Sequence, residues 1–166
     1  MIERAYIDTE YQPTLEDLKR HLRITSDDLD ETLEPYLLAA VNAAENSIGS
    51  IIAMSEFMDR RRFTSVIHLE GPVVEVISVS LDGVEIAEED YTLDGRILTI
   101  SEELKGDSLT LAYKAGMPQV PFDIKAAVML MAAKLFNNPA DSVEQLPSAA
   151  KNMLRPYRTW GIHDGE

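Results

Sequence analysis

Three histidines, His21, His68 and His163, are the first residues to consider for a metal or proton-transfer site. They fall in a helical, a strand-like and a tail segment, and none has a second histidine three or four positions away, so a shared metal is not expected. Asp28 and Asp30 echo the start of a calcium loop. Leu33, however, stands where the turn glycine is needed, and no Glu completes the twelfth position, so they read as acids opening a helix. The eight glycines are scattered, mostly at turns, and build no phosphate-cradling loop. Gly49-Ser50 lacks the second glycine of a nucleophile elbow. The chain has no cysteine, which excludes thiol catalysis, cysteine-ligated zinc and disulfide scaffolding. The expectation is a non-enzymatic protein with no catalytic residue, no cofactor and no metal.

Two sets of residues suit contact rather than catalysis. Arg60, Arg61 and Arg62 form the sole basic cluster. They could grip phosphate, but a solvated linker or a salt-bridging patch towards a neighbouring subunit's acidic surface fits them better. Arg155, Tyr157, Arg158 and Trp160 follow a short helical stretch, and Arg, Tyr and Trp are the residue types enriched at interface hot spots. Two readings stay open for them: a partner interface, or aromatics that fold back to cap the core.

The elements that position these residues start with the strongest periodic signal, Thr14 to Ile52. Thr14 followed by Asp17 predicts a capped helix start, with Leu15, Leu18 and Leu22 on one face. After Thr25 and Ser26 a longer helix carries Leu29, Leu33, Leu37, Ala40, Val41, Ala44, Ile48 and Ile51 on one stripe, with Glu31, Asn42, Glu45 and Asn46 opposite. Pro35 predicts a kink there or a start at Thr32. From Val66 the texture is strand-like. Ile77, Val79 and Leu81 are expected on one face, Asp82-Gly83 and Asp94-Gly95 mark hairpin turns, and residues 109–114 alternate as a last strand. Residues 124–136 are apolar nearly all round and predict a buried helix filled by Met129 and Met131. Residues 148–155 form a short helix. The fold class expected is α+β: a helical core with a small antiparallel β insertion of hairpins. The expected plan is one domain: an arm at 1–13, helices at 14–55, the β insertion at 63–115, C-terminal helices at 121–155 and a tail at 156–166.

Bulk properties set further bounds. A chain of 166 residues can bury a real core as one domain. The formal charge of -14 argues against a nucleic-acid-binding surface. The charge is uneven: residues 1–100 hold 8 Lys and Arg against 21 Asp and Glu, and residues 101–166 hold 7 against 8. Solubility is the simplest reading of the acidity, and a surface that faces a polyanion without holding it is the sharper one. The N-terminus lacks a basic stretch followed by an apolar one, and the run from Ala126 to Ala133 is too short to span a bilayer, so a soluble intracellular protein without membrane contact is expected.

The phrase LEDLKRHLRITSDDLDETLEPYLLAAVNAAENSIG resembles the opening of the head-to-tail connector, or adaptor, proteins of tailed bacteriophages. GPVVEVISVSLDGVEI, DYTLDGRILTI, LTLAYKAGMPQVPFDIKAAVMLMAAKLFNN and LPSAAKNMLRPYRTWG resemble successive blocks of that family in the same order, so the likeness covers nearly all of residues 14 to 161. Departures fall at Asn46 to Ser50, where the family commonly reads an aromatic residue and Thr-Gly-Arg, and at the unusually basic SEFMDRRRF. The resemblance implies a structural protein of a phage or prophage that forms a twelve-fold ring beneath the portal, joins it to stopper or tail-completion proteins, and surrounds a channel through which DNA passes without specific binding. It would be made in the bacterial host cytoplasm and reside at the head-tail joint of the virion. On this reading Arg155 to Trp160 dock the portal, and acidic helix faces line or approach the channel. Two competing classes are an acidic binding module such as a DNA-mimic inhibitor, which the charge alone supports, and a hydrolase, which would need a convergent acid or histidine site that the sequence does not offer.

Overall fold

A computed structural model describes residues 1–7, 13–138 and 146–159. Packing divides the single expected domain into two compact units, Met1–Thr9 with Ala53–Pro118, and Glu10–Ile52 with Gln119–Glu166. The second unit is helical. Its first helix, α1 (Leu15–Leu22), begins as a capping box: the Thr14 hydroxyl accepts from the Asp17 N–H, and the Asp17 carboxylate accepts from the Thr14 N–H. Two orphan donors are thereby satisfied at the start of a helix too short to stand alone. Arg23, at φ 60°, closes it.

The second helix, α2 (Asp30–Ile48), buries Leu33, Leu37, Ala40, Val41, Ala44 and Ile48 of the stripe expected from the sequence, whereas Leu29 precedes the helix and Ile51 follows it, both half-buried. It starts at Asp30 and not at Thr32, and Pro35 is carried inside it. Pro35 and Glu31, whose carbonyl loses its i+4 donor, are both exposed, so that carbonyl can turn to water. Glu45 corrects the expectation that it sits on the polar face: it is buried, and its Oε1 accepts the Ile52 N–H at 2.8 Å. The carboxylate supplies the acceptor that the chain needs where it leaves the helix beyond Gly49, at φ 69°.

The third helix, α3 (Phe122–Asn137), packs against α1, α2 and the last helix, α4 (Ser148–Leu154). Ala40 and Ala44 of α2 and Ala127 and Ala132 of α3 are all fully buried, so backbones approach closely along this axis. Met129 and Met131 are core residues as expected. Tyr36 and Phe136 meet edge to face with centroids 6.3 Å apart.

The first unit is built from strands. A five-stranded antiparallel sheet has the order β1 (Ile2–Tyr6), β2 (Ser55–Arg62), β8 (Ser108–Ala115), β4 (Val73–Leu81), β5 (Val84–Glu85). A three-stranded sheet joins β3 (Val66–His68), β7 (Ile97–Ile100) and β6 (Tyr91–Asp94). The expected arm therefore begins as an edge strand, and the sheet starts at Ser55, not at residue 63. The segment carrying the three arginines is a strand where a connector was expected. Phe57 and Tyr113 stack at 5.2 Å between β2 and β8, and the Tyr113 hydroxyl accepts from the Glu70 N–H at 3.3 Å. Burial pushes the Tyr113 phenol up to about 12.

The Asp82-Gly83 turn forms as expected, with φ 50° and 83°, between the pairs Ser80↔Glu85 and Leu81↔Val84. The Asp82 carboxylate accepts from the Ser108 and Asp107 N–H groups and the Ser108 hydroxyl, which hold it below the usual carboxylate range. The second turn is centred one residue later than expected, on Gly95-Arg96, because Asp94 pairs with Ile97. Ile77 corrects the alternation read from the sequence. Register shifts on either side of Val76 add residues to β4 against β8, so Val79 and Leu81 are buried while Ile77 is 45% exposed.

Glu45→Ala is expected to cost about 1–3 kcal/mol by stranding the Ile52 N–H, with Glu45→Gln costing less because it keeps an acceptor; equilibrium denaturation of the two variants measures this.

Candidate functional site

The arginine run is sorted by the pleat of β2. Ser55, Phe57 and Asp59 are buried, whereas Glu56, Met58, Arg60 and Arg62 point to the other, exposed face. Arg61 shares the inner face and pairs with the Asp59 carboxylate, which is 1% exposed. One arginine is therefore committed to neutralising a buried acid, and the other two share the outer face. The Arg60 backbone is held by the chain start, its N–H donating to the Met1 carbonyl at 2.9 Å. Alternating Asp59 and Arg61 within a strand was the signal that separates the three, and it becomes readable only once the segment is known to be a strand.

The C-terminal set lies in the helical unit. Arg155–Tyr157 form a 3-10 turn after α4, with Arg155 and Arg158 exposed and Tyr157 half-buried. Thr159 ties this end to α2: its N–H and its hydroxyl both donate to the Ile48 carbonyl, at 2.8 and 2.9 Å. Trp160 and His163 lie outside the described residues. His21 and His68 stand in different units, in α1 and β3. Among the described residues, no group of three or more His, Cys, Asp or Glu is arranged to hold a metal ion, and no helix is long and apolar enough to cross a membrane.

A charge centre that sequence reading missed joins α1 to the start of α2. Lys19 is buried, and its ammonium pairs with the carboxylates of Asp27 and, at 2.9 Å, Asp30. Hydrogen bonding to Asp27 and then Asp30 raises the Lys19 pKa, and the Lys19 hydrogen bond lowers that of Asp27. The acids read as helix openers thus also hold the helix-helix turn. A second acidic group, Glu85, Glu88 and Glu89, is exposed near Tyr91, whose phenol is raised by burial and then by Glu88 and Glu85. The described structure thus offers pairing surfaces and acidic faces.

Residues 12–72 match the family model described as phage gp6-like head-tail connector protein. No curated protein matches the chain. A chain in the neck of the native gene transfer agent (GTA) particle, computed with C12 symmetry, has the same fold at TM-score 0.75 and 19% identity, covering 99% of this chain and 98% of that one. One in the neck of the empty GTA particle, computed with C6 symmetry, matches at 0.72 and 20%, with 98% of each chain covered. One in the virion of the native GTA particle matches at 0.73 and 19%, again with 98% of each covered. Residues 12–72 carry the likeness to the head-tail connector family, and the fold shared with the neck chains extends over nearly the whole length.

Arg61→Ala is expected to destabilise the fold by roughly 1–3 kcal/mol, because the Asp59 carboxylate stays buried without its partner, whereas Arg60→Ala and Arg62→Ala should stay within about 0.5 kcal/mol; thermal and urea melts read the difference. For the Lys19 centre, a lowered Asp27 pKa contributes stability above its ordinary value of 3.8 and loses it as pH falls through the lower folded value. A raised Lys19 pKa contributes below its ordinary 10.5 and loses it only above that. Asp27→Asn should therefore lower the melting temperature at pH 7, with the gap to the parent closing as both are titrated well below pH 3.8.

Proposed function

We propose that this chain is a structural head-tail connector of a phage-like particle, which assembles as a twelve-fold ring beneath the portal of a capsid, joins it to a stopper or tail-completion protein, and encircles the passage for DNA. The observation that carries this reading is the fold shared along nearly the whole chain with a chain in a particle neck computed with C12 symmetry. The protein acts at the head-tail joint of the virion, after synthesis in a bacterial host, and without enzymatic chemistry. Nothing in the geometry favours the acidic DNA-mimic reading over this one.

A ring places two requirements on each subunit. Neighbour contacts are heterologous, so two different faces must match. Arg60 and Arg62, sharing the outer sheet face, suit an acidic neighbour. The passage must also repel phosphate, which a net charge of -14 allows without a specific binding surface. Exposed acids such as Glu85, Glu88 and Glu89, and those on the helices, are the candidates to face it. Arg155, Tyr157 and Arg158 are the candidates to dock the portal, with Trp160 following them.

Light scattering of the purified chain, and electron microscopy of it mixed with its own portal, test this directly. A ring, alone or on the portal, is expected, with acidic residues turned inward, and Arg155→Glu with Arg158→Glu should weaken portal capture at least tenfold. A persistent monomer or dimer that ignores the portal overturns the reading.

A further inference from the structure

Phe122 is the most exposed aromatic side chain among the described residues, at 88%, although it opens the apolar helix α3. A phenylalanine buries on the order of 150–250 Å² when covered, so leaving it in water forgoes a large contribution. On the outer face of the five-stranded sheet lies an apolar depression of about 260 Å³, lined by Ala5, Phe57, Met58, Ile77 and Ala112, with Glu3, Glu56 and Arg4 also on its lining. The Arg4 guanidinium is engaged by the Ser55 hydroxyl and the Ala53 carbonyl, which leaves the two glutamates as the charge facing a partner. Its floor is not an accident of alternation. The register shifts in β4 place Ile77 on the solvent side, where Met58 is also 38% exposed. Bulges of this kind re-aim a side chain towards a surface.

We propose that Phe122 of one copy inserts into this depression on the next copy, forming the centre of the contact between neighbouring subunits. The inference rests on the ring reading, because a ring requires two unlike patches on one chain that fit each other. A protruding aromatic and an apolar hollow are such a pair. Charge agrees with the match. The acidic lining, Glu3 and Glu56, would receive the positive N-terminal end of the 16-residue α3 and its Lys125. Like-charged Asp123 is tolerated at the edge, where solvent screens it. Buried aromatic anchors ringed by polar residues are the usual energetic centre of an interface.

The chain has no cysteine, so pairs can be introduced without interference. Full-length protein carrying Glu56→Cys and Asp123→Cys keeps Phe122 intact and is treated with a short bis-maleimide, alone and on the portal. A covalent ladder of oligomers is expected, absent from each single variant and lost when Phe122→Ala is added. Phe122→Ala should also weaken subunit association at least tenfold while leaving the circular dichroism spectrum and melting temperature of the free chain unchanged. Rings seen by microscopy without a ladder, or a cross-link confined to the monomer, overturn the Phe122 contact and leave the ring reading standing. Absence of rings under both conditions overturns both.

Discussion

A helix that is apolar nearly all round cannot meet water on any side, and the helical unit follows from that constraint. The segment from Phe122 to Asn137 buries Ile124, Ala127, Val128, Met129, Met131 and Ala132, and α1, α2 and α4 pack against it. The alanines of α2 and α3 allow backbones to approach closely, and the two methionines fill the irregular space that remains. The exposed end of the same helix, Phe122, is the place where enclosure stops.

The sheet unit answers a different constraint. β8 is flanked on both sides, by β2 and β4, so Leu109, Leu111, Tyr113 and Ala115 form its buried face. Every neighbour takes its alternation from that strand. β2 obeys strictly, which is why one arginine of three turns inward to Asp59. β4 departs from it through bulges, which puts Ile77 outside. The same strand pleat that buries a core also composes a mixed outer surface of methionine, isoleucine and charge.

Polar groups hold the connections between elements. Lys19 bridges the turn between α1 and α2, Glu45 closes the exit from α2, and Asp82 fastens the turn of the β4–β5 hairpin to the start of β8. Glu45 and Asp82 accept N–H groups that a change of chain direction would otherwise leave unpaired, and Lys19 donates to the two carboxylates at the start of α2. An acidic protein can use its carboxylates in this way and still present a strongly negative surface, because only Glu45 of these acids is buried.

The sequence by itself determined the features carried by local pattern: the capping pair Thr14 and Asp17, the stripe of α2, the all-round apolar α3, the Asp82-Gly83 turn and the α+β class. It also carried the connector likeness, which rests on blocks in order. Periodicity and turn chemistry are written in neighbouring residues, so they survive without a structure. Tertiary structure decided what depends on residues far apart. Ile2–Tyr6 became a strand only because β2 offered its edge, the arginines were sorted only by pairing with β8, and Ile77 was displaced only by a register mismatch. Glu45 looked like a surface residue because its partner, the Ile52 N–H, lies beyond the end of its own helix. Long-range pairing and the cost of an unpaired buried group settle such positions, and neither is visible in a local pattern.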